Sequence, residues 1–411
     1  MELYLPSFQI LFTTFLFLFL LLKILTKRSK TTSSDSKLPP RPWKLPIAGN
    51  LHQLVGTVPH QALRELAKKH GPLMHLKLGQ LSTVVVSSPE IAKEIMKTHD
   101  AIFASRPEIL VSKIMSYNST SITFSPYGEY WRQLRKICVQ ELLSTAQVQS
   151  YRPIREEELS NLIHFIGSHA GSAINLTEKI HSTAYSITSK AAFGKKCKQQ
   201  EKFVSVAMEV TKAAGGFDVE DLFPSVYLLH LFSGLRTKLE RLQQETDRIL
   251  DVIIKEHKEA KATRKGSVTK AEEDIVDVLL RFHDRGDVDE FSLTCDNIKA
   301  VLFDIFSAGS ETSATALDWA MSEMIKHPEV MKKAQEEVRE VFNRKGSVDE
   351  TSINEMKYLK CVCKEVFRLH PPVPLLLPRE CSERCEINGY EIPIKTKVII
   401  NAYAIGRDPK Y

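Results

Sequence analysis

Cysteine is scarce and poorly arranged for cross-linking. The seven cysteines, Cys138, Cys197, Cys295, Cys361, Cys363, Cys381 and Cys385, are odd in number and form no Cys-x-x-Cys pair. That excludes a disulfide framework and places the folded part in a reducing compartment. Cys361 and Cys363 lie two apart in a helical pattern, and at about 100° per residue they point to opposite sides, so they do not chelate one ion together. They are expected to be buried thiols. Charge of one sign is also in short supply: 56 Lys and Arg stand against 50 Asp and Glu, a net +6 spread along 411 residues. This leaves no nucleic-acid footprint and at most a weak attraction to an acidic surface. There is no internal repeat. With 43% apolar and 26% charged residues, the composition excludes a disordered chain, a collagen-like repeat and a polytopic transporter.

What is present begins with an uncharged stretch. From Leu3 to Leu22 no residue is charged, and these 20 residues are mostly aliphatic or aromatic. As a helix they span about 30 Å, the thickness of a bilayer core. Lys23, Lys27, Arg28 and Lys30 follow, which places the remainder on the cytoplasmic side. The basic cluster comes after the apolar run, and no small-residue cleavage pattern appears. Both features favour an uncleaved anchor over residues 1–26 rather than a secretory peptide. With that topology, the matches Asn118-Ser-Thr120 and Asn175-Leu-Thr177 are idle as glycosylation sites. Residues 27–50 are a basic and proline-rich hinge, with Pro39, Pro40, Pro42 and Pro46 stiffening it.

Residues 51–411 then read as one mainly α domain with a small β part. Leu76 to Ser87 alternates around Gly79 and reads as a hairpin; strand signals return only from Cys385 to Ala402. The charged segment from Lys255 to Glu273 reads as an exposed loop between two helices. Leu293 to Lys326 is a helical pattern begun by a Thr294 cap and closed before Pro328. Near its middle lies Ala308-Gly-Ser-Glu-Thr312, whose small residues predict a local kink or widening. There Ala308 and Gly309 let a flat ligand approach the backbone, while Glu311 and Thr312 place a carboxylate and a hydroxyl beside it, the ingredients of a proton relay.

Downstream, Lys357 to Leu369 is a helix stopped by Pro371-Pro372, with Glu365 and Arg368 spaced for an ion pair. Glu-x-x-Arg also occurs at Glu129, Glu245 and Glu336, so position and not spacing singles out the last. It precedes a proline-fixed apolar turn that ends at Arg379. In Tyr127 to Arg135, Trp131 and Arg135 stand one helical turn apart and suit joint hydrogen bonding to an anionic group.

Taken in order, the anchor, the proline hinge, Trp131-x-x-x-Arg135, Ala308-Gly-Ser-Glu-Thr312, Glu365-x-x-Arg368 and Pro378-Arg379 resemble a microsomal cytochrome P-450 monooxygenase. The segments Trp43 to His52 and Tyr130 to Lys136 resemble the plant enzymes of specialised metabolism that oxidise terpenoids or alkaloids. Arg41 stands where the family usually has glycine. The resemblance implies a P-450-like fold, a b-type haem, and electrons from an NADPH-cytochrome reductase at the endoplasmic reticulum membrane. The substrate implied is small and apolar, and no nucleic acid is involved. Thr312 and Glu311 would deliver protons during oxygen activation. Trp131, Arg135 and Arg379 would hold the haem propionates, with Ala308 and Gly309 against the macrocycle. Glu365 and Arg368 would pin their helix beneath it. The substrate pocket would draw on residues 111–123, 214–222, 301–308 and 373–377. The family's axial cysteine sits in a Phe-x-x-Gly-x-Arg-x-Cys-x-Gly loop, and none of the seven cysteines has that context. No protein ligand to iron is therefore assigned. The chain is expected to be a fragment of a monooxygenase or, as the alternative, a truncated and inactive anchored product.

Overall fold

The computed structural model of the protein describes residues 12–19, 37–215, 217–226, 234–263, 273–284, 291–346 and 349–411. Of the expected anchor, residues 12–19 are helical and exposed, and the rest lies outside the described residues, as does the hinge before residue 37. Among the described residues no helix is long and apolar enough to cross a membrane. The later part of the hinge is anchored on the sheet: Asn50 donates to the Trp43 carbonyl at 2.9 Å and accepts from Lys77 N at 2.8 Å.

The sheet carries four strands in the order β1 (Leu73–Leu78), β2 (Leu81–Val86), β6 (Lys397–Ile400) and β3 (Arg379–Glu380). The predicted hairpin is the antiparallel β1–β2 pair, while β2 runs parallel to β6 with Thr83 opposite Lys397 and Val85 opposite Ile399. Alternation sorts side chains by face. Leu73, Val84, Val86, Val398 and Ile400 pack on one side; Met74, Leu76, Val85 and Ile399 pack on the other with Leu222. A separate hairpin joins β4 (Cys385–Ile387) to β5 (Tyr390–Ile392).

The remainder is helical. The long helix runs Cys295–Lys326, and its Thr294 cap and Asn297 bond reciprocally, Asn297 N to Thr294 Oγ1 at 3.2 Å and Thr294 N to Asn297 Oδ1 at 3.0 Å. It packs against the helix Leu176–Phe193 through Phe306, which meets Tyr185 at a ring separation of 5.1 Å and stacks on Phe203 at 4.2 Å. Such aromatic contacts add to the burial of large apolar area.

Two expectations need correction. The helix Leu235–Thr263 extends through the first part of the charged stretch predicted as a loop from Lys255 to Glu273, and residues 264–272 lie outside the described residues. Lys, Glu and Ala are strong helix formers, so a solvated charged run is as readily an exposed helix face, here carrying a Lys255–Glu259 pair at 3.8 Å. Cys361 and Cys363 are exposed on the helix Lys357–Leu369 and not buried. Only Val366 of that helix is buried, so helical periodicity there did not translate into burial.

Candidate active site

The middle of the long helix presents two unlike faces. Val301, Leu302 and Phe306, expected along a substrate pocket, are fully buried in the helical core. Ala308 and Gly309 are exposed, and a side chain built on Gly309 would meet nothing within 4 Å. A flat group has room to lie against this backbone. The expected widening is not seen: the helix is α throughout Cys295–Lys326. Instead three hydroxyls bond back one turn, Ser307 to the Phe303 carbonyl at 2.7 Å, Thr312 to Ala308 at 2.9 Å and Ser313 to Gly309 at 3.0 Å. Such back-bonding bends a helix without opening its ladder.

Thr312 and Glu311 are neighbours in sequence but about 100° apart around the axis. Glu311 faces the helix Leu176–Phe193, where its Oε2 accepts from Tyr185 Oη at 3.2 Å and lies 3.5 Å from His181 Nδ1. Burial and the Glu311 charge push the Tyr185 phenol well above its ordinary pKa, so it stays a donor. No hydrogen bond joins Glu311 to Thr312 among the described residues.

The cationic residues occupy three settings. Arg135 stacks over the Trp131 ring at 5.6 Å, while Trp131 Nε1 donates to the Ile122 carbonyl at 3.1 Å. Next to that carbonyl, Thr123 N donates to Asp304 Oδ2 at 2.9 Å. Asp304 is buried one turn before Ala308, and burial raises its pKa. Together these bonds moor the 122–123 loop to the long helix. Arg379 Nη1 donates to Asp100 Oδ1 at 2.7 Å and to the Phe103 carbonyl at 3.2 Å. Arg106 donates to the Leu377 and Pro378 carbonyls at 3.2 and 3.1 Å, and burial with the Arg379 charge pulls its pKa down to about 10. Two guanidiniums held so close favour an anionic neighbour. Sequence reading missed both Asp304 and Arg106, because neither sits in a motif: one acid in a buried apolar helix face was the available signal.

Glu365 and Arg368 form the predicted ion pair, with Arg368 Nε 2.7 Å from Glu365 Oε2. Both are about half exposed. The Glu129–Arg132 pair has its third partner next to it in sequence, Gln133, whereas Arg368 Nη1 donates to the carbonyl of Gly406, far along the chain. A side chain at Gly406 would collide with the Arg368 carbonyl oxygen. Beneath this contact Trp319 stacks on His370 at 3.8 Å, and His370 Nε2 meets Glu323 Oε1 at 2.8 Å.

The description of the cytochrome P-450 family matches residues 39–411. Premnaspirodiene oxygenase of Hyoscyamus muticus is 51% identical over 397 residues, covering 96% of this chain and 79% of that protein. Tabersonine 16-hydroxylase 1 of Catharanthus roseus is 54% identical over 401 residues, again 96% of this chain and 79% of the relative. Among solved structures, a zebra fish cytochrome P-450 with abiraterone superposes with a TM-score of 0.72 at 22% identity. The match covers 86% of this chain and 79% of that one, and it is a likeness of fold.

Proposed function

The chain belongs to the cytochrome P-450 family, and from that premise we propose that it serves to oxidise a small apolar plant metabolite, a terpenoid or an alkaloid, with O2 and electrons from an NADPH-cytochrome reductase at the endoplasmic reticulum membrane. One observation carries this reading: the open, side-chain-poor face at Ala308 and Gly309, flanked by the Thr312 hydroxyl. That face fits a planar macrocycle. Haem, when bound there, supplies redox-active iron for splitting dioxygen. Trp131, Arg135 and Arg379 would hold its carboxylates, with Arg379 exchanging Asp100 for a propionate and the nearby Arg106 adding positive charge. Such exchange keeps a buried guanidinium paired in both states.

Thr312 then acts as the proton donor at its Oγ1, which donates to the Ala308 carbonyl in the resting arrangement and would have to turn from it to reach the oxygen. Glu311 supplies protons only after leaving Tyr185, so the relay is a switched one. Glu365 and Arg368 position the helix Lys357–Leu369 against residues 402–406. The apolar run Leu3 to Leu22 and the basic cluster after it support membrane attachment with the domain facing the cytosol. None of the seven cysteines serves as the axial ligand in this reading, since none has the context of the family's ligand loop; Cys138 and Cys381 are moreover buried with pKa values raised to about 12, and burial raises Cys197 and Cys385 as well. The 411 residues alone therefore give no thiolate-type absorbance in reduced samples treated with carbon monoxide.

The test is Thr312→Ala in a longer form of the protein that carries the thiolate ligand, loaded with haem and coupled to the reductase. Oxygen consumption should persist while product formed per oxygen falls by roughly tenfold. Unchanged coupling would remove the hydroxyl from the proton path.

A further inference from the structure

Lys299 and Lys397 are the two buried ammonium groups among the described residues, and Lys299 is paired with Asp247 and Asp251. Lys397 is 6% exposed and opens β6 as its first residue, and no side-chain hydrogen bond or ion pair holds it among the described residues. Its recorded contacts are the Phe217 ring at 6.0 Å and the field of Asp221. Directly opposite on β2 is Thr83, fully buried, whose hydroxyl also lacks a partner. A buried hydroxyl without a partner is costly, and native interiors rarely leave one so.

Lys397 lines a cleft of about 470 Å³, within the size range of small-molecule sites. The roof is the short helical turn Val219–Leu222, fixed by Gln80 N donating to the Leu222 carbonyl at 2.8 Å and by Leu110 N donating to Asp221 Oδ1 at 2.7 Å. None of the lining residues belongs to the long helix, so this cleft is distinct from the Ala308–Thr312 face.

The charges around it sort themselves. Lys113 pairs with Glu108 at 3.0 Å, Lys395 with Glu380 at 2.6 Å, and Arg236 with Glu220. Left over are Lys397 as a donor and Asp221, whose carboxylate already accepts a backbone N–H. A carboxylate ligand would crowd Asp221 with a second negative charge. A neutral oxygen accepts from Lys397 without that repulsion.

We propose that this cleft binds a neutral, otherwise apolar small molecule through a single oxygen acceptor, a hydroxyl or carbonyl, which Lys397 Nζ recognises. The site is independent of haem and of turnover. Calorimetric titration of the full chain with 4-phenylbutan-1-ol, butylbenzene and 4-phenylbutanoate tests it. The alcohol should bind about tenfold more tightly than butylbenzene, as expected for one bond to a charged donor. Lys397→Met should abolish that preference while leaving butylbenzene binding within about twofold, because the stem is replaced by an apolar one of similar length. Glu108→Trp, at the exposed rim, should weaken both ligands by blocking entry. Equal binding of alcohol and hydrocarbon to the unaltered chain would mean that bound water alone satisfies Lys397. That result overturns the proposal, as do a preference surviving in Lys397→Met, tighter binding of the carboxylate than the alcohol, or indifference to Glu108→Trp. Loss of oxidase chemistry in any haem-loaded sample bears on the monooxygenase role and leaves these affinities untouched.

Discussion

His75 lies in β1 with its Nε2 2.9 Å from Ser82 Oγ and its Nδ1 buried without a partner. Burial, with the charges of Arg41, Lys44 and Lys77, pulls its pKa from 6.5 to about 4. The unfolded chain therefore binds a proton between those values that the folded chain refuses. Stability supplied by the neutral ring is complete above pH 6.5 and drains away as the pH falls toward about 4, by up to roughly 3 kcal/mol. Urea midpoints measured at pH 7 and pH 4.5 should differ less in His75→Gln than in the unaltered chain. An identical pH dependence in the two would show that other groups govern acid sensitivity. Asp304 and Lys397 belong to the same class of buried ionisable residue, and none of the three could be picked out from sequence. Their character depends on what the fold places over them, since each looks like an ordinary charged or polar residue in a mixed segment.

Helices were more legible. The long helix was expected from residue 293 with a Thr294 cap, and it runs Cys295–Lys326 with that cap in place. The helix Lys357–Leu369 begins and ends where the proline pair and the apolar spacing put it. Both readings rest on local signals, a capping side chain and a following proline, that act within a turn or two. The charged end of Leu235–Thr263 was misread because its residues satisfy two descriptions at once, solvated and helix-forming. At this scale the joint between Arg368 and Gly406 yields a prediction. Gly406→Ala forces a methyl group onto the Arg368 carbonyl, so the turn Ala402–Ile405 must move away and the Arg368 bond to the 406 carbonyl is lost. Overpacking of this kind should cost about 1–3 kcal/mol, seen as a lowered thermal midpoint, whereas Gly389→Ala, which meets nothing within 4 Å, reports only the strain of its positive φ. Equal effects from the two substitutions would argue against the close approach.

For the whole molecule the decisive contact is the parallel β2–β6 pair, which joins Thr83–Val86 to Lys397–Ile400 across almost the full chain. Val84, Val85 and Val86 are wholly buried, with an apolar cluster on each face of β2 and β6 pairing its edge. A chain stopped after Pro378 would lose β3 and β6 and leave β2 as an open apolar edge. Such an edge invites pairing with other chains. That truncated form should elute as aggregate on size exclusion, while the 411-residue chain does not; a monomeric truncated form would show that the helices alone protect the hairpin.

Sequence by itself determined the mainly α class, the capped long helix, the hairpin around Gly79 and the order of motifs that resembles one enzyme family. Each of these is written in residues close enough to sense one another along the chain. Tertiary structure alone decided that Glu311 turns to Tyr185 while Thr312 turns away, that Trp131 bonds a backbone carbonyl, and that Lys397 faces a cleft beside Thr83. Those outcomes depend on which surfaces meet after distant segments pack, and burial, unlike helical period, is a property of the neighbours and not of the residue.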